Sequence, residues 1–306
     1  MGYGIFPDTR TFKPGVCSAV SGLSLPPLQI RALLRQYDLH PSKRLGQNFL
    51  LDQSALQNII EAAEIEPAES VLEIGPGLGS LTRYLALSAH SVTAVELDRK
   101  LFPALESVLA PYKNVRLVQG DILKLNPDEL MENGGYIVVA NIPYYITSAV
   151  IRHLLEADLP PQRVILTVQK EVAERICAET GEMNLLALSV QVYGKPTIST
   201  IIPAGAFYPP PKVDSAVLRI EIETQLFIPT DRLDAFFILI KAGFSQKRKT
   251  LRNSLSGGLR VTPADSEEIL SGAGIDPQRR AETLTLEEWG RLCEKYIAGR
   301  EKYISA

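Results

Sequence analysis

A polar amide, a proline and a tyrosine follow a short apolar run in the middle of the chain. The apolar residues at 137–140 predict a buried strand, and the residues after it are Asn141, Ile142, Pro143 and Tyr144. The amide oxygen of Asn141 and the backbone carbonyl of Ile142 could accept the two N–H bonds of an exocyclic amine. The ring of Tyr144 could stack on the base that carries this amine. These residue types suit chemistry on a nucleobase, and a plain strand with a proline turn is the alternative that they leave open.

A glycine-rich loop follows an earlier predicted strand, at residues 71–74. It contains Gly75, Gly77 and Gly79 and leads into a helical pattern, which is typical of the opening of a nucleotide-binding α/β unit. The dinucleotide fingerprint would require a glycine at position 80, where Ser80 stands, so a pyrophosphate site is disfavoured. The glycines still allow a ligand to approach the backbone closely.

Acidic residues follow the next two predicted strands. Glu96 ends one of them, and a carboxylate about 20 residues past such a loop can accept both hydroxyls of a ribose. Asp121 follows the other strand, where it could accept from an adenine amine while the backbone N–H of Ile122 binds a ring nitrogen. Because ligands of open α/β sheets lie beyond the carboxyl ends of the strands, the glycine loop, these acids and Asn141 predict one shared site.

These residues need an α/β scaffold, and the apolar periodicity predicts one. Strands are predicted at residues 71–74, 91–97, 115–118, 137–140, 163–168, 196–203 and 215–222, the last two as a hairpin. Helices are predicted at residues 28–37, 52–63 with Asp52 as N-cap, up to 87 after the glycine loop, 148–156, 170–178, and from about Pro229 to the end. The three prolines at 209–211 predict a rigid connector that fixes Phe207 at the ligand edge of the sheet, where it could close the other face of a bound base.

Charge is unevenly distributed along the 306 residues, although the net charge is only −3. Residues 1–51 carry six basic and two acidic residues, residues 52–226 carry 13 and 22, and residues 227–306 carry 13 and 11. The total therefore argues for no nucleic-acid partner, but the basic flanks allow one. The cations that could meet phosphate are Lys43, Arg44, Lys247, Arg248, Lys249 and Arg252. A solvated cationic face is the alternative reading of both groups.

Cysteine and histidine usage predicts neither disulfides nor a metal site. Cys17, Cys177 and Cys293 are far apart and form no C-x-x-C pair, which is typical of reduced thiols in a cytosolic protein. The three histidines are equally scattered. No apolar run is long enough to span a bilayer, so no membrane partner is expected. Residues 1–27 lack periodicity and predict a mobile extension rather than a signal peptide.

Together these motifs resemble those of the ribosomal RNA adenine dimethyltransferase family, and most closely those of its small-subunit (16S) enzymes. The motifs stand in the family order at residues 46–50, 73–79, 141–144, 209–215 and 244–253. The resemblance runs from about Pro41 to about Leu292, which is most of the chain. Residues 180–187 depart from the family pattern because they lack its Pro-Gly-Ser-Lys-like loop and Tyr-Gly pair, and residues 1–40 carry no family motif.

The resemblance implies an α/β fold, a Rossmann-like sheet that binds S-adenosylmethionine, with a small all-helical C-terminal domain. The implied division is an N-terminal extension at 1–40, a methyltransferase domain at 41–226 and a helical domain at 227–306. The residues implied to bind the cofactor are Asn48, Leu50, Gly75, Gly77, Glu96, Asp121, Ile122 and Asn141. The residues implied to hold the target base are Asn141, Ile142, Tyr144 and Phe207.

The implied activity is dimethylation of the N6 amine of two adjacent adenines in a 3′-terminal hairpin of small-subunit (16S) rRNA. The implied methyl donor is S-adenosylmethionine, and the implied partner is small-subunit rRNA within immature 30S particles. The enzyme is expected to act as a monomer in the cytoplasm during small-subunit biogenesis.

Three alternatives stay open at this point. A large-subunit (23S) rRNA dimethyltransferase of the antibiotic-resistance type would share the catalytic strand ends, although the motifs at 209–215 and 244–253 favour the small-subunit enzyme. A DNA adenine or protein glutamine methyltransferase would more often show Asn-Pro-Pro-Tyr, and Ile142 stands at the second of these positions. A ribosome-assembly factor whose main role is binding is the third alternative.

Overall fold

The protein is described by a computed structural model over residues 25–131 and 135–304. Its strands are β1 (Phe49–Leu50), β2 (Ser70–Ile74), β3 (Ser91–Glu96), β4 (Val115–Gln119), β5 (Ile137–Asn141), β6 (Arg163–Gln169), β7 (Gly194–Ile202), β8 (Phe207–Tyr208) and β9 (Ser215–Ile222). Seven of them form one sheet in the order β4-β3-β2-β5-β6-β9-β7. β9 is antiparallel to both of its neighbours, and the pairs among β2 to β6 are parallel. The predicted pairing of the last two long strands is confirmed.

Helices separate most of the strands and follow the last one. They are α1 (Ile30–Gln36), α2 (Gln53–Ala63), α3 (Ser80–Ser88), α4 (Phe102–Leu109), α5 (Pro127–Leu130), α6 (Thr147–Leu155), α7 (Lys170–Ile176), α8 (Leu185–Gln191), α9 (Leu233–Gly243), α10 (Leu251–Leu259), α11 (Pro263–Gly272) and α12 (Leu286–Ile304). The predicted fold class, a Rossmann-like α/β sheet of the methyltransferase type followed by helices, is confirmed.

Strand β5 is buried on both faces of the sheet. Its residues 137–140 have no exposed surface, as their continuous apolar run predicts. Val138 and Ala140 belong to one apolar cluster, and Ile137 and Val139 belong to the cluster on the opposite face. Because both faces are covered, the polar residues that follow β5 emerge at the end of the sheet.

The strand order reverses at β2, which has β3 on one side and β5 on the other. In open α/β sheets such a reversal opens a crevice at the carboxyl ends of the strands. The ends of β2, β3, β4 and β5 therefore border one crevice, which is where the polar strand-end residues were predicted to meet.

A two-stranded ladder, absent from the predicted elements, joins the segment before the sheet to the segment between β7 and β9. β1 pairs with β8 in antiparallel fashion, with Leu50 opposite Phe207. The backbone N–H of Leu51 also donates to the carbonyl of Ala206 at 2.8 Å. Two-residue strands are too short to show an alternating pattern, so this ladder had no periodic signal in the sequence.

Helix α1 lies within the segment that was predicted as an N-terminal extension. Its Ile30 and Leu34 are buried in one apolar cluster with Phe49, Leu78 and Leu101. The boundary at residue 40 stays a prediction, and the packing shows that α1 shares a core with residues from β1, the glycine loop and the segment before α4.

The C-terminal helices share the apolar core of the sheet. One continuous cluster of buried side chains includes Leu72 on β2 and both Phe236 on α9 and Trp289 on α12. A Cβ atom on Gly243 would lie 2.5 Å from the Trp289 ring, so α9 approaches this ring closely because residue 243 is a glycine. The predicted boundary between the last two domains stays a prediction.

The segment that departs from the family pattern contacts the C-terminal region. The backbone N–H groups of Gly181 and Met183 donate to the carbonyl of Glu282 at 3.0 and 3.3 Å. Asn184 then caps α8 by accepting from the backbone N–H of Ala187. These bonds give the loop a structural role at the C-terminal helices.

In the described part of the chain, no helix is both long and apolar enough to cross a membrane. The same residues contain no group of three or more His, Cys, Asp or Glu side chains that could hold a metal ion. Cys177 and Cys293 are free thiols, and Cys17 lies outside the described residues.

Candidate active site

A cavity of about 1020 Å³, counting the space open to solvent, lies at the carboxyl ends of β2 to β5. The predicted cofactor-binding residues all line it: Asn48, Leu50, Gly75, Gly77, Glu96, Asp121, Ile122 and Asn141. Ile142 and Tyr144, predicted to hold the target base, line the same cavity. The structure thus brings these residues together, and the role of each one stays a prediction.

The glycine loop has a backbone that other residues adopt only with strain. Gly75 and Gly77 have φ angles of 70° and 60°, in the left-handed region. A Cβ atom on Gly77 would also lie 3.1 Å from two ring carbons of Phe49. The loop therefore exposes bare backbone to the cavity, and its shape depends on both glycines.

The Glu96 carboxylate connects this loop to the end of β3. Its Oε2 accepts from the backbone N–H of Gly77 at 3.0 Å, and its Oε1 accepts from the backbone N–H of Asp98 at 2.8 Å. Burial raises the pKa of Glu96 above its ordinary value, and these two hydrogen bonds offset only part of that rise. Each carboxylate oxygen keeps a second lone pair, so both oxygens can still accept from a ribose.

Glu73 is a cavity residue whose role sequence reasoning missed. It is buried at the end of β2, and its Oε2 has no hydrogen-bond partner among the described residues. Burial raises the pKa of Glu73 to about 8, and the charge of Glu96 adds to the rise. An interaction with the Thr82 hydroxyl opposes this rise in the pKa. A buried carboxyl with a raised pKa in a cleft is a candidate for ligand binding. Its position in the motif at 73–79 was the available signal.

The amide of Asn141 is oriented by a second amide residue. Asn141 Nδ2 donates to the backbone carbonyl of Asn48 at 3.2 Å, and Asn48 Nδ2 donates to the carbonyl of Gly46 at 3.2 Å. Because the amide nitrogen of Asn141 is engaged, its oxygen is the atom left to accept from a ligand. This is the acceptor that the sequence pattern predicted.

Tyr144 is held by a residue from the motif at 209–215. Its hydroxyl shares a 2.6 Å hydrogen bond with the hydroxyl of Ser215, which is fully buried at the start of β9. Burial raises the pKa of the Tyr144 hydroxyl. The bond fixes the ring of Tyr144 in the cavity wall, and it shows how two motifs that are distant in sequence meet.

Phe207 is not part of the cavity lining, contrary to its predicted place as the second face of a base clamp. Its side chain is only 3% exposed and packs in the cluster that contains Leu50, Ala206 and Val217. The pairing of β8 with β1 places Phe207 opposite Leu50, whose side chain belongs to the same cluster. In this structure the Phe207 ring packs in the apolar core next to β1.

The predicted RNA contacts fall into two exposed groups. Lys43 and Arg44 lie on a turn beside Leu45 and Gly46, which line the cavity. Lys247, Arg248 and Lys249 lie between α9 and α10 and are also exposed; together with Arg252 they were predicted as one phosphate-binding stretch.

The start of α10 does not offer free backbone donors to a phosphate. The N–H of Leu251 donates to the carbonyl of Arg279 at 2.7 Å, and the N–H of Arg252 donates to that of Pro277 at 3.2 Å. The Arg252 side chain forms an ion pair with Glu267 at 2.9 Å. Phosphate binding in this region therefore depends on the side chains of residues 247–249.

The sheet order, the glycine loop and the acidic strand ends define an α/β methyltransferase. The chain belongs to the ribosomal RNA adenine dimethylase family, whose model matches residues 40–298, so it is a methyltransferase of a family that uses S-adenosylmethionine. It is 49% identical over 270 residues to the ribosomal RNA small subunit methyltransferase A of Dehalococcoides mccartyi (strain CBDB1), covering 88% of this chain and 92% of that relative.

Two solved structures share the fold. A dimethyladenosine transferase from Plasmodium falciparum is 26% identical with a TM-score of 0.73, and the match covers 82% of this chain and 98% of that one. The 23S rRNA methyltransferase ErmE is 29% identical with a TM-score of 0.67, and the match covers 81% of this chain and 99% of that one. The family predicted from the motifs is confirmed.

Proposed function

We propose that this enzyme dimethylates the N6 amine of two adjacent adenines in a 3′-terminal hairpin of small-subunit (16S) rRNA. The observation that carries the proposal is the amide of Asn141, oriented by Asn48 and placed beside Tyr144 in one cavity. The 49% identity to a small-subunit methyltransferase supports this substrate more strongly than the 29% identity to the 23S enzyme supports the alternative.

The cavity fits S-adenosylmethionine in four respects. The bare backbone at Gly75 and Gly77 admits a closely bound ligand, and the buried carboxyl of Glu73 beside it lines the same cavity, where it would favour a cationic group. Glu96 keeps lone pairs for the ribose, and Asp121 with the N–H of the next residue suits the adenine edge. When bound, the cofactor supplies a methyl group that is electrophilic because it is attached to a positively charged sulfur.

The enzyme's own residues act on the target amine mainly by holding it. Asn141 Oδ1 and the Ile142 carbonyl accept hydrogen bonds from the two N–H groups, which holds the amine so that its lone pair points at the methyl group. The attacked nitrogen gains positive charge, so these acceptors bind it more strongly in the transition state than in the ground state. Tyr144 stacks on the base, which must leave its own stack to enter the cavity. The proton then leaves to water, and no general base is required.

The wider substrate is proposed to be small-subunit rRNA within immature 30S particles, bound by a monomer in the cytoplasm. Lys43 and Arg44 lie next to the cavity mouth, and residues 247–249 provide a second exposed cationic group. Cations in these two places suit a folded RNA that is held at more than one point.

The test is transfer of labelled methyl groups from S-adenosylmethionine to three substrates. These are immature small subunits that lack adenine dimethylation, naked small-subunit rRNA and large-subunit rRNA. Asn141→Ala is compared with Asn126→Ala, which changes an exposed capping asparagine on α5. We expect label in immature small subunits as N6,N6-dimethyladenine, and a kcat lowered about 10²- to 10³-fold by Asn141→Ala but not by Asn126→Ala.

The other outcomes identify the alternatives. Label that enters only large-subunit rRNA would assign the enzyme to the 23S type. Binding of immature subunits and cofactor by the wild-type protein, with no methyl transfer to any substrate, would favour the assembly-factor role. Equal activity of Asn141→Ala and the wild type would overturn the role of the amide.

A further inference from the structure

Tyr145 is a large aromatic side chain with 63% of its surface exposed. It also lines the cavity, directly after Tyr144. An aromatic ring that is this exposed gains little from the apolar core, and its position at a ligand cavity leaves its face available to a bound partner. None of the roles described so far uses it.

The ring of Tyr145 lies close to Gly46 at the mouth of the cavity. A Cβ atom on Gly46 would lie 3.4 Å from Tyr145 Cδ1 and Cε1 and 3.2 Å from Pro143 Cβ. Gly46 has a φ of 61°, so this close approach and the turn itself both favour glycine. The aromatic ring is therefore held along one edge while most of its surface faces solvent.

The turn that supports Tyr145 is itself tied to the cofactor side of the cavity. The backbone N–H of Ser42 donates to Gln47 Oε1 at 2.7 Å, and Gln47 Nε2 donates to Asp98 Oδ2 at 2.9 Å. The N–H of Asp98 donates to Glu96, which also holds the glycine loop. An RNA segment that lies on this turn would thus be positioned relative to the methyl donor.

Tyr144 and Tyr145 have different surroundings and suit different bases. The hydroxyl of Tyr144 is bound to buried Ser215, which keeps its ring in the cavity wall. Tyr145 lies at the mouth, and its ring approaches Gly46 in the turn that carries the exposed cations Lys43 and Arg44. An exposed aromatic beside cations is the usual platform for a single-stranded nucleotide, because every base has a flat face and every link has a phosphate.

We propose that Tyr145 is a stacking platform for the nucleotide that flanks the target adenine in the RNA. Extrusion of a base into a cavity leaves its neighbour without a stacking partner. Tyr145 replaces that partner and so holds the RNA strand in the geometry that delivers the adenine to Asn141. The proposal rests on the proposed function, and it makes Tyr145 a positioning residue for the RNA rather than a catalytic residue.

The test measures RNA binding separately from methyl transfer. The probe is the 3′-terminal hairpin of small-subunit rRNA, and its affinity is measured by fluorescence anisotropy for the wild type, Tyr145→Ala and Tyr145→Phe. Phe227→Ala is the matched control, because Phe227 is 56% exposed and does not line the cavity. Cofactor affinity and Tm are measured for every variant, so that a folding defect is recognised.

We expect Tyr145→Ala to weaken hairpin binding roughly tenfold. Cofactor affinity and Tm should stay close to the wild-type values. Tyr145→Phe should bind within about twofold of the wild type, because stacking needs the ring and not the hydroxyl. Equal affinities of Tyr145→Ala and wild type, or a loss in Tyr145→Phe as large as in Tyr145→Ala, would overturn the proposal.

Abasic substitutions in the hairpin locate the stacked base. If Tyr145 stacks on a flanking nucleotide, an abasic site at that nucleotide weakens wild-type binding as much as Tyr145→Ala does, and the two changes together add nothing further. In a hairpin that keeps only one of the two target adenines, coupling at that adenine, or at no position, would overturn the proposal. Because binding is measured without turnover, a wild type that binds the hairpin decides the role of Tyr145 whether or not immature small subunits are methylated, and methyl transfer to those subunits tests the proposed function separately. A wild type that binds no hairpin overturns the role of Tyr145 and leaves the test on immature small subunits to decide the proposed function.

Discussion

Two buried carboxyls of the cavity differ in their hydrogen bonds. Glu96 accepts from the backbone of Gly77 and Asp98, whereas Glu73 Oε2 has no partner among the described residues. Burial raises the pKa of both carboxyls, and that of Glu73 reaches about 8. Near neutral pH, Glu73 is therefore mainly protonated in the ligand-free protein, and a cation bound beside it would favour its ionised form.

Glu73→Gln should change how stability depends on pH. The pKa of Glu73 is about 8 in the folded protein against 4.5 for an ordinary glutamate, so the folded state holds the proton more tightly. Stability from this group is fully present below pH 4.5 and is lost as the pH rises through about 8. Glutamine stays neutral, so the variant should exceed the wild-type Tm by at least about 2 °C at pH 8.5.

The measurement is calorimetry of the ligand-free protein at pH 5 and pH 8.5. The Tm difference between Glu73→Gln and wild type should shrink at the lower pH, where both side chains are neutral. Glu106→Gln, an exposed position on α4, serves as the control for removing a carboxylate. The same Tm difference at both pH values would contradict the assigned titration.

At the scale of elements, α1 and the segment before it pack against elements that line the cavity. The Gln53 side chain donates to the carbonyl of Leu25 at 2.6 Å, and that of Arg83 donates to the carbonyl of Pro26 at 3.1 Å. Leu34 of α1 packs in a cluster with Phe49, whose other contacts include the glycine loop. The helix thus connects a distant part of the chain to the cofactor side of the site.

Leu34→Ala should loosen the cavity wall. Removing a buried leucine side chain typically costs about 2–5 kcal/mol, and here the loss falls on the packing of α1. We expect faster amide hydrogen exchange in α1 and β1, together with a cofactor affinity that is several-fold weaker. The measurements are hydrogen exchange by mass spectrometry and calorimetric titration.

Arg35→Ala is the matched control, because Arg35 is exposed on the same helix. It should leave both hydrogen exchange and cofactor affinity close to the wild-type values. If Leu34→Ala accelerates exchange in α1 but leaves β1 and cofactor affinity unchanged, the helix does not brace the cavity.

At the scale of the whole molecule, a small net charge conceals a division of charge. The middle of the chain is acidic, and the two flanks place exposed cations at the cavity mouth and between α9 and α10. The second cationic group lies between α9 and α10, and both of these helices share one apolar cluster with the sheet.

Replacing Lys247, Arg248 and Lys249 together by alanine should weaken RNA binding through electrostatics. If each cation meets one phosphate, the slope of log K against log salt should fall by about 2 to 3. Cofactor affinity should not change, because the three side chains lie outside the cavity lining. The measurement is hairpin affinity across a series of salt concentrations.

Arg252→Ala is the contrasting variant. Because Arg252 forms an ion pair with Glu267, its loss should lower Tm and change the salt slope by much less than the triple substitution. A triple variant with an unchanged slope would show that these cations form only a solvated face. A large change in the salt slope of Arg252→Ala would show that Arg252 contacts RNA, as the sequence predicted.

The parallel strands and the residues at their ends were predictable from the sequence. Residues 137–140 form an apolar run bounded by Asn141, and the observed strand spans Ile137–Asn141. β3, which ends at Glu96, was equally visible because buried parallel strands read as apolar runs with polar ends. The strand predicted at 115–118 matches β4, a partly exposed edge strand that precedes Asp121. The resemblance of the motifs to a known family then indicated the cofactor and the substrate class.

Tertiary structure alone decided how separate motifs meet. The hydroxyl of Tyr144 bonds to Ser215, the amide of Asn141 donates to Asn48, and Arg252 pairs with Glu267. None of these contacts leaves a periodic signal, since each joins residues that are distant in sequence. The sequence placed Phe207 at the ligand edge for the same reason, because the pairing of β1 with β8 that buries its ring joins residues distant in sequence.

The sequence by itself determined the sheet, the glycine loop and the order of polar strand ends, because burial and backbone geometry restrict which residues can stand there. Tertiary structure decided which side chains face the cavity. Whether Phe207 is buried and Tyr145 exposed depends on the two-residue pairing of β1 with β8 and on the contact between Gly46 and Tyr145. Long-range packing selects among orientations that local sequence leaves equally allowed.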